Sequence, residues 1–197
     1  MFRVLIAALL LTLGLSAFAK PKLLEHVPLV WKPTSGLQLG TRQMTAASVT
    51  VGPFTDTREN KQLIGENRED ETPKPVTTSD DVGAFVTTHL RELFSQGGVQ
   101  AVDSNASVVI QGEVLKFFAR EESTYRSEVE LRLSVVDASG NTLWKGVASG
   151  EATRFGRSYK AENYYEVLSD ALVNTVSSLL QSAEFQRALS GQPPAKN

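Results

Sequence analysis

Apolar and polar residues alternate most regularly over residues 128–136. Such a two-residue period is typical of a β-strand with one face buried and the other exposed. The apolar positions are Val129, Leu131, Leu133 and Val135, and the polar positions are Glu128, Glu130, Arg132 and Ser134. We therefore predict a strand whose polar side faces water or a partner.

Further strands are predicted on both sides of this one. Residues 107–119 are rich in β-branched and aromatic side chains, and residues 143–155 follow a turn over 137–141 whose composition is typical of a hairpin. Residues 47–51 alternate as well and end at Gly52-Pro53. The last strand has small residues on one face, which favour close approach of a helix. These are Gly146, Ala148, Gly150 and Ala152.

Two helices are predicted from apolar residues that recur at three- and four-residue spacing. Residues 79–81 offer N-cap candidates for the first helix, which Gly97-Gly98 ends. The second helix begins near Asn163, which together with Glu166 resembles a capping box, and continues toward Leu189.

The order β-α-β-β-β-α implies an α+β fold, a two-layer sandwich with a mostly antiparallel sheet and two helices on one face. An extended leader over 20–46 precedes a single domain over 47–190, and residues 191–197 are expected to be a disordered tail. Within the domain, residues 55–78 are rich in charge and proline. This composition predicts a long charged loop, with at most a short strand at Leu63-Ile64-Gly65.

The N-terminus has the three parts of a secretory signal peptide over residues 1–19. A basic residue, Arg3, is followed by an apolar run from Val4 to Leu15 and by small residues, and we place the cleavage after Ala19. An uncleaved membrane anchor is the alternative, but a span needs about 20 apolar residues and this run is shorter. The sequence therefore predicts export to the periplasm.

Composition excludes several classes of protein. The chain has no cysteine, so it lacks disulfides, thiolate metal sites and a cysteine nucleophile. Bacterial lipoproteins carry their lipid on a cysteine, so no lipid anchor of that kind is expected, and peripheral association with a membrane stays open. The formal net charge of −2 disfavours a nucleic-acid-binding protein, which usually shows a basic stripe.

The chain contains no familiar catalytic or cofactor motif. G-x-S-x-G, H-E-x-x-H and the phosphate-binding loop are all absent, and residues 56–61 resemble a calcium loop but have Lys61 where glycine is needed. We expect no catalytic residue, no cofactor and no metal. His26 and His89 are expected to be structural, and adjacent acids such as Glu121-Glu122 to be solvated.

Three aromatic residues carry expectations about burial. Trp31 in the leader is expected to pack on the domain, because a buried tryptophan removes a large apolar area from water. An exposed anchor for a partner is the alternative. Near the start of the last helix, Tyr165 is expected in the core and Tyr164 at the surface.

Charged residues at two places are candidates for partner binding. Asp56 and Arg58 follow the first strand, where they either present a binding loop or form an ion pair that stabilises the strand exit. Glu128, Glu130 and Arg132 line the polar face of the sheet. Addition of a strand at a sheet edge is one mode by which such a domain binds a partner.

The segment Val49-Thr50-Val51 leads into Asp56-x-Arg58, and a helix, three strands and a last helix carrying residues 168–172 follow. This arrangement, over roughly residues 45–190, resembles the YajG-like family of bacterial envelope lipoproteins. The resemblance implies a small α+β envelope module, similar in layout to accessory lipoproteins of outer-membrane assembly and transport. The family is functionally uncharacterised, so the resemblance implies no catalytic residues. The chain departs from the family at Lys20, which follows Ala19 where the others have their acceptor cysteine.

The leading hypothesis is a non-enzymatic periplasmic accessory module that binds another cell-envelope protein. A carrier of a lipid or glycan is the alternative, and it requires an apolar cavity between helices and sheet. The face of small residues argues against that cavity. A glycan hydrolase using loop carboxylates is a third hypothesis. The sequence predicts no oligomeric state.

Overall fold

The computed structural model describes residues 23–38 and 47–193. The predicted signal peptide and its cleavage site lie outside the described residues, as do parts of the leader and the tail. The described chain forms six strands and three helices. They are β1 Val49–Asp56, β2 Leu63–Asn67, β3 Lys74–Thr77, α1 Val82–Gln96, β4 Val108–Glu121, β5 Thr124–Asp137, β6 Thr142–Phe155, α2 Ala161–Gln181 and α3 Ala183–Leu189.

All six strands belong to one sheet, in the order β3-β2-β4-β5-β6 with β1 beside β4. The strands β4, β5 and β6 have 14 residues each and pair antiparallel. Both β1 and β2 run parallel to β4, β1 along Val108–Val114 and β2 along Ala119–Glu121. The predicted α+β fold with a mostly antiparallel sheet is confirmed.

The core lies between the sheet and the helix layer. Helix α1 packs on β1 and β4, α2 packs on β4, β5 and β6, and the two helices contact each other. The four apolar positions predicted to point inward from β5 are at most 1% exposed. Asp81 caps α1, since its carboxylate accepts a hydrogen bond from the Ala84 N–H at 3.1 Å, and Gly98 after the helix has a φ of +85° that favours glycine.

Helix α2 lies very close to β6 at Gly150, as the row of small residues predicts. A Cβ added at Gly150 would lie 2.3 Å from the Ala171 carbonyl oxygen and 2.3 Å from the Thr175 nitrogen. The helix backbone therefore occupies the space that any side chain at this position would need.

Residues 55–78 are not a loop, and the prediction is wrong on this point. They contain β2, at the island where the pattern admits a short strand, and β3, which pairs antiparallel with β2. Gly65 lets β2 lie close to its neighbours, because an added Cβ would be 2.5 Å from the Ala119 carbonyl oxygen and 2.8 Å from the Tyr164 ring. The proline in β3, Pro75, is compatible with a position near the edge of a sheet.

Two element boundaries also differ from the prediction. Strand β1 continues past Gly52-Pro53 to Asp56 through a register irregularity between Val51 and Phe54, and a bulge of this kind accommodates proline in a strand. The predicted continuation of the last helix is a separate helix, α3. Ser182 begins it, since its hydroxyl accepts a hydrogen bond from the Phe185 N–H at 3.4 Å.

Residues 23–38, here called the strap, run without helix across the helix layer. Polar side chains of α2 accept hydrogen bonds from strap N–H groups. Ser169 accepts from Lys32 at 3.0 Å, Asp170 from Thr34 at 2.7 Å, and Ser177 from Gln38 at 3.0 Å. At its other end the strap covers β3, with Val27 donating to the Thr77 carbonyl at 2.8 Å and Thr77 donating to the Leu24 carbonyl at 2.9 Å.

The contact at Gly150 yields a prediction for stability. The substitution Gly150→Ala forces α2 away from β6, so the free energy of unfolding should fall by about 1–3 kcal/mol. Denaturant titration followed by circular dichroism measures it. Gly36→Ala is the matched control, because nothing lies within 4 Å of its added Cβ. Equal effects of the two substitutions would contradict the close packing described here.

Candidate functional site

The side of β4, β5 and β6 that faces away from α1 and α2 is here called the outer face. Strand register places three outward residues side by side in each row across it. The rows are Glu113–Arg132–Val147, Lys116–Glu130–Ser149, Phe118–Glu128–Glu151 and Arg120–Arg126–Thr153. Three predicted partner-binding residues, Glu128, Glu130 and Arg132, therefore lie together on the outer face.

Two neighbouring rows of the outer face contain like charges directly opposite each other. Arg120 faces Arg126 across β4 and β5, and Glu128 faces Glu151 across β5 and β6. Like charges in directly opposite positions destabilise a sheet.

Ion pairs relieve only one member of each like-charged pair. Arg120 donates to Glu66 at 2.9 Å, and Lys116 donates to Glu128 at 2.5 Å. Within residues 23–38 and 47–193, neither Arg126 nor Glu151 has an ion-pair partner. The outer face thus holds an unmatched cation and an unmatched anion in adjacent rows.

A shallow groove of about 270 Å³ lies over these rows. Its lining includes Phe118, Arg126, Glu128 and Glu151. Near its end Phe155, opposite Thr124 in the register, is 85% exposed, the largest exposed fraction among the large apolar side chains of the described chain. The groove combines apolar and charged surface, as contact sites on proteins do.

Arg132 and Glu130 have different surroundings on the outer face. Arg132 donates to Glu113 at 2.5 Å, and both side chains are more than one third exposed. Glu130 lies opposite Lys116 and Ser149 and makes no ion pair with the described residues. A surface pair such as Arg132–Glu113 contributes little to stability.

The structure places Asp56 and Arg58 in a buried pair rather than on a binding loop. Their side chains are 8% and 7% exposed, and the guanidinium donates to the Asp56 carboxylate at 2.8 and 2.9 Å. Arg58 also donates to the carbonyl oxygens of Leu63 and Phe117 at 2.8 and 3.2 Å. This geometry favours the interpretation that the pair stabilises the strand exit, and binding of a partner by these two residues stays a prediction.

A buried carboxylate, which the sequence analysis expected to be solvated, lies at the end of β4. Glu121 is 0% exposed. Its oxygens accept hydrogen bonds from the Tyr125 hydroxyl at 2.5 Å, the Tyr164 hydroxyl at 3.0 Å, and the Ser158 and Tyr159 N–H groups at 2.9 and 2.8 Å. Uncharged hydrogen-bond donors rather than a cation therefore stabilise the Glu121 carboxylate.

Opposing effects set the pKa of Glu121. Burial raises the pKa, but hydrogen bonds from Asn67, Tyr125, the Tyr159 backbone and Tyr164 together lower it below the usual value. For the two hydroxyl donors, burial and the neighbouring carboxylate raise the pKa of Tyr164 and of Tyr125. The carboxylate stays ionised and the tyrosines stay protonated at neutral pH.

Several expectations about single residues are wrong near this cluster. Tyr164 is fully buried and Tyr165 is only partly buried, the reverse of the prediction. Asn163 and Glu166 form no capping box, since α2 begins at Ala161 with no side-chain cap. Instead the Asn163 amide donates to the Tyr125 hydroxyl at 3.0 Å.

Glu166 joins the strap to the domain. Its carboxylate pairs with Lys32 of the strap at 2.9 Å and with Arg154 of β6. The pKa of Glu166 is lowered. The hydrogen bond from Lys32 is the largest cause, and the positive charge of Arg154 acts in the same direction, while burial opposes both.

Trp31 packs on α1, as favoured by the sequence analysis. Its ring stacks on His89 at a centroid distance of 4.2 Å and meets Phe85 edge-on at 6.3 Å. His89 also hydrogen-bonds Glu92 at 2.9 Å. His26 lies in the strap, where its Nδ1 is 2.8 Å from the Ser79 hydroxyl. Both histidines contact groups that support the fold.

A ligand carried between helices and sheet would need room where α2 and β6 are in close contact. The α2 backbone touches β6 at Gly150, and the strap crosses the helix layer. Other acidic residues have structural contacts as well: Asp80 accepts from the Leu29 N–H at 2.8 Å, and Glu69 pairs with Arg157 at 2.6 Å. Over residues 23–38 and 47–193, no three potential ligands cluster as a metal site would require.

A family model described as uncharacterized lipoprotein matches residues 41–190. The chain belongs to this family of uncharacterized lipoproteins. The resemblance to the YajG-like family is thereby confirmed, and membership supports a location in the cell envelope. No curated protein matches the chain.

Comparison with solved structures finds matches at low identity. XCC0632 from Xanthomonas campestris has a TM-score of 0.56 at 11% identity, over 81% of this chain and 94% of that chain. The PelC dodecamer from Paraburkholderia phytofirmans has a TM-score of 0.44 at 16% identity, over 73% and 93% of the two chains. At 11% identity the likeness to XCC0632 extends to the fold alone.

Helices long and apolar enough to cross a bilayer do not occur in the part of the chain that the structure describes.

Glu121 yields a prediction for pH dependence. Its pKa is lowered in the folded state, so its contribution to stability is present above the unfolded pKa of about 4.5 and is lost as the pH falls through the lower folded pKa. Glu121→Gln should reduce the free energy of unfolding at pH 7 by about 1–3 kcal/mol, since donors around it lose a charged acceptor. It should also flatten the decline in stability below about pH 4.5.

Thermal or denaturant unfolding at several pH values measures both effects. Glu122→Gln is the matched control, because the neighbouring Glu122 side chain is exposed. A Glu121 variant with the same stability and the same acid response as the control would refute the role of the buried carboxylate.

Proposed function

We propose that the protein is a non-enzymatic module of the bacterial cell envelope that binds another envelope protein through its outer face. The observation that carries the proposal is the pair of like-charged rows, Arg120–Arg126 and Glu128–Glu151, on the exposed side of the sheet. Export predicted for residues 1–19 and membership of a lipoprotein family support the envelope location.

Like-charged rows cost stability, so a purely structural sheet would favour opposite charges at these positions. A partner that presents an acidic group to Arg126 and a basic group to Glu151 removes both repulsions on binding. Such electrostatic complementarity contributes to the specificity and rate of association. The exposed Phe155 offers apolar contact area beside the charged rows.

The outer face is also the side of the sheet that helices leave free. The strap and α2 cover the other side, where the strap uses Asp170 and Glu166. Contact with a partner through the outer face therefore requires no rearrangement of the core. Glu130 and Arg132 lie in the next two rows of the outer face and belong to the proposed contact surface.

A substitution at Arg126 separates binding from folding. Arg126→Thr removes the repulsion with Arg120, so the free energy of unfolding should rise by about 0.2–1 kcal/mol, while capture of the partner should fall. Arg132→Thr is the control for stability, because it removes an existing ion pair with Glu113 and should not stabilise the fold. Denaturant titration and a pull-down from envelope extracts measure the two properties.

In-cell cross-linking identifies the partner. A photo-reactive residue at Glu130 or Ser149 should give one dominant adduct with an envelope protein, because both positions are on the outer face. The same residue at Gln96, exposed at the end of α1, is the control and should not give that adduct. Adducts that are equal at all three positions, or absent from the outer face, would overturn the proposal.

A further inference from the structure

The strand β6 leaves a long edge of the sheet without a neighbouring strand. It has 14 residues without proline and pairs with β5 on one side. No other strand of the described chain pairs with it. At the opposite end of the sheet the strap covers β3 through backbone hydrogen bonds at Val27 and Thr77. Unpaired edges are places where another chain adds a strand.

The exposed charges of β6 are arranged symmetrically about its middle. Lys145 and Glu151 lie three residues before and three residues after Ala148, and both are exposed. Neither makes an ion pair with the described residues. In an antiparallel pair of two β6 strands centred on Ala148, Lys145 of each copy would lie opposite Glu151 of the other, so a two-fold axis would produce the contact twice.

The charge pattern selects this register over its neighbours. A shift of two residues keeps the same faces aligned but places Lys145 opposite Ser149 or Thr153, and both charged contacts are lost. A shift of one residue turns the outer face of one copy to the opposite side.

Side-chain sizes on the inner side of β6 agree with the same register. Trp144, which is half-buried and packs edge-on against Phe185 at 5.1 Å, would face Ala152 of the second copy. Gly146 would face Gly150, so no two large side chains would meet. On the outer face Val147, which is 55% exposed, would lie beside Ser149.

One side chain of the same copy already hydrogen-bonds the free edge of β6. The Asn174 amide on α2 donates to the Glu151 carbonyl oxygen at 2.7 Å. Asn174 is half-buried, and its amide must leave the Glu151 carbonyl oxygen when a strand approaches.

We propose that β6 pairs antiparallel with β6 of a second copy of this chain, centred on Ala148, and joins two sheets into one continuous sheet. The inference does not rest on the proposed function, because the pairing needs only a second copy of this chain, although Glu151 also lies on the outer face. If both hold, the two outer faces form one surface of twice the area on the same side of the joined sheet.

Charge exchange tests the pairing on the protein purified from cells, by sedimentation velocity over a range of concentrations. Wild-type protein should dimerise. Lys145→Glu or Glu151→Lys alone places like charges across both contacts, which should weaken dimerisation by roughly tenfold or more. The double variant with both substitutions restores opposite charges and should dimerise like the wild type.

Mixing the two single variants gives a sharper result. Each contact between unlike copies then joins opposite charges, so the mixture should form dimers although each variant alone is mainly monomeric. Glu184→Lys, on α3, is the control for a general effect of charge and should leave dimerisation unchanged. A wild-type protein that stays monomeric, or a dimer that all single variants preserve, would overturn the proposal. Neither result depends on whether the outer face captures a partner.

Discussion

The ionised side chain of Glu121 is the constraint on which the arrangement of the elements depends. A fully buried carboxylate stays ionised only if hydrogen bonds from the protein replace those that it would make to water. Here those bonds come from β5 through Tyr125, from α2 through Tyr164, and from the connection between β6 and α2 through two N–H groups. The hydrogen bond from Tyr164 fixes the start of α2 at this point, and from there the helix runs over β6 to its contact with Gly150.

Periodicity predicts the helices and long strands well, because burial repeats along them. The alternation at Val129–Val135 and the stripe of α1 each describe one continuous buried face. The same method only suggests β2 and misses β3, because a four- or five-residue strand next to prolines and charges contains too few periods. Periodicity also does not predict the burial of Tyr164, since the residue that accepts its hydroxyl hydrogen bond, Glu121, is 43 residues away in sequence.

The candidate site is predictable in part. Alternation alone places Glu128, Glu130 and Arg132 on the exposed side of β5, and the structure agrees. The sequence cannot show that Arg126 faces Arg120 or that Glu128 faces Glu151, because this depends on register and on the irregularity between Val114 and Lys116. Asp56 and Arg58 leave two interpretations open from the sequence, since charge indicates exposure only until a close partner permits burial.

The strap has a consequence for the order in which the fold is completed. Its residues come early in the chain, yet the α2 groups that hydrogen-bond residues 32–38 lie 135–143 residues later. Such distant contacts close large loops and form slowly. A chain made from its N-terminus must therefore complete its last long helix before residues 32–38 can bind, so a segment synthesised among the first is among the last to reach its place.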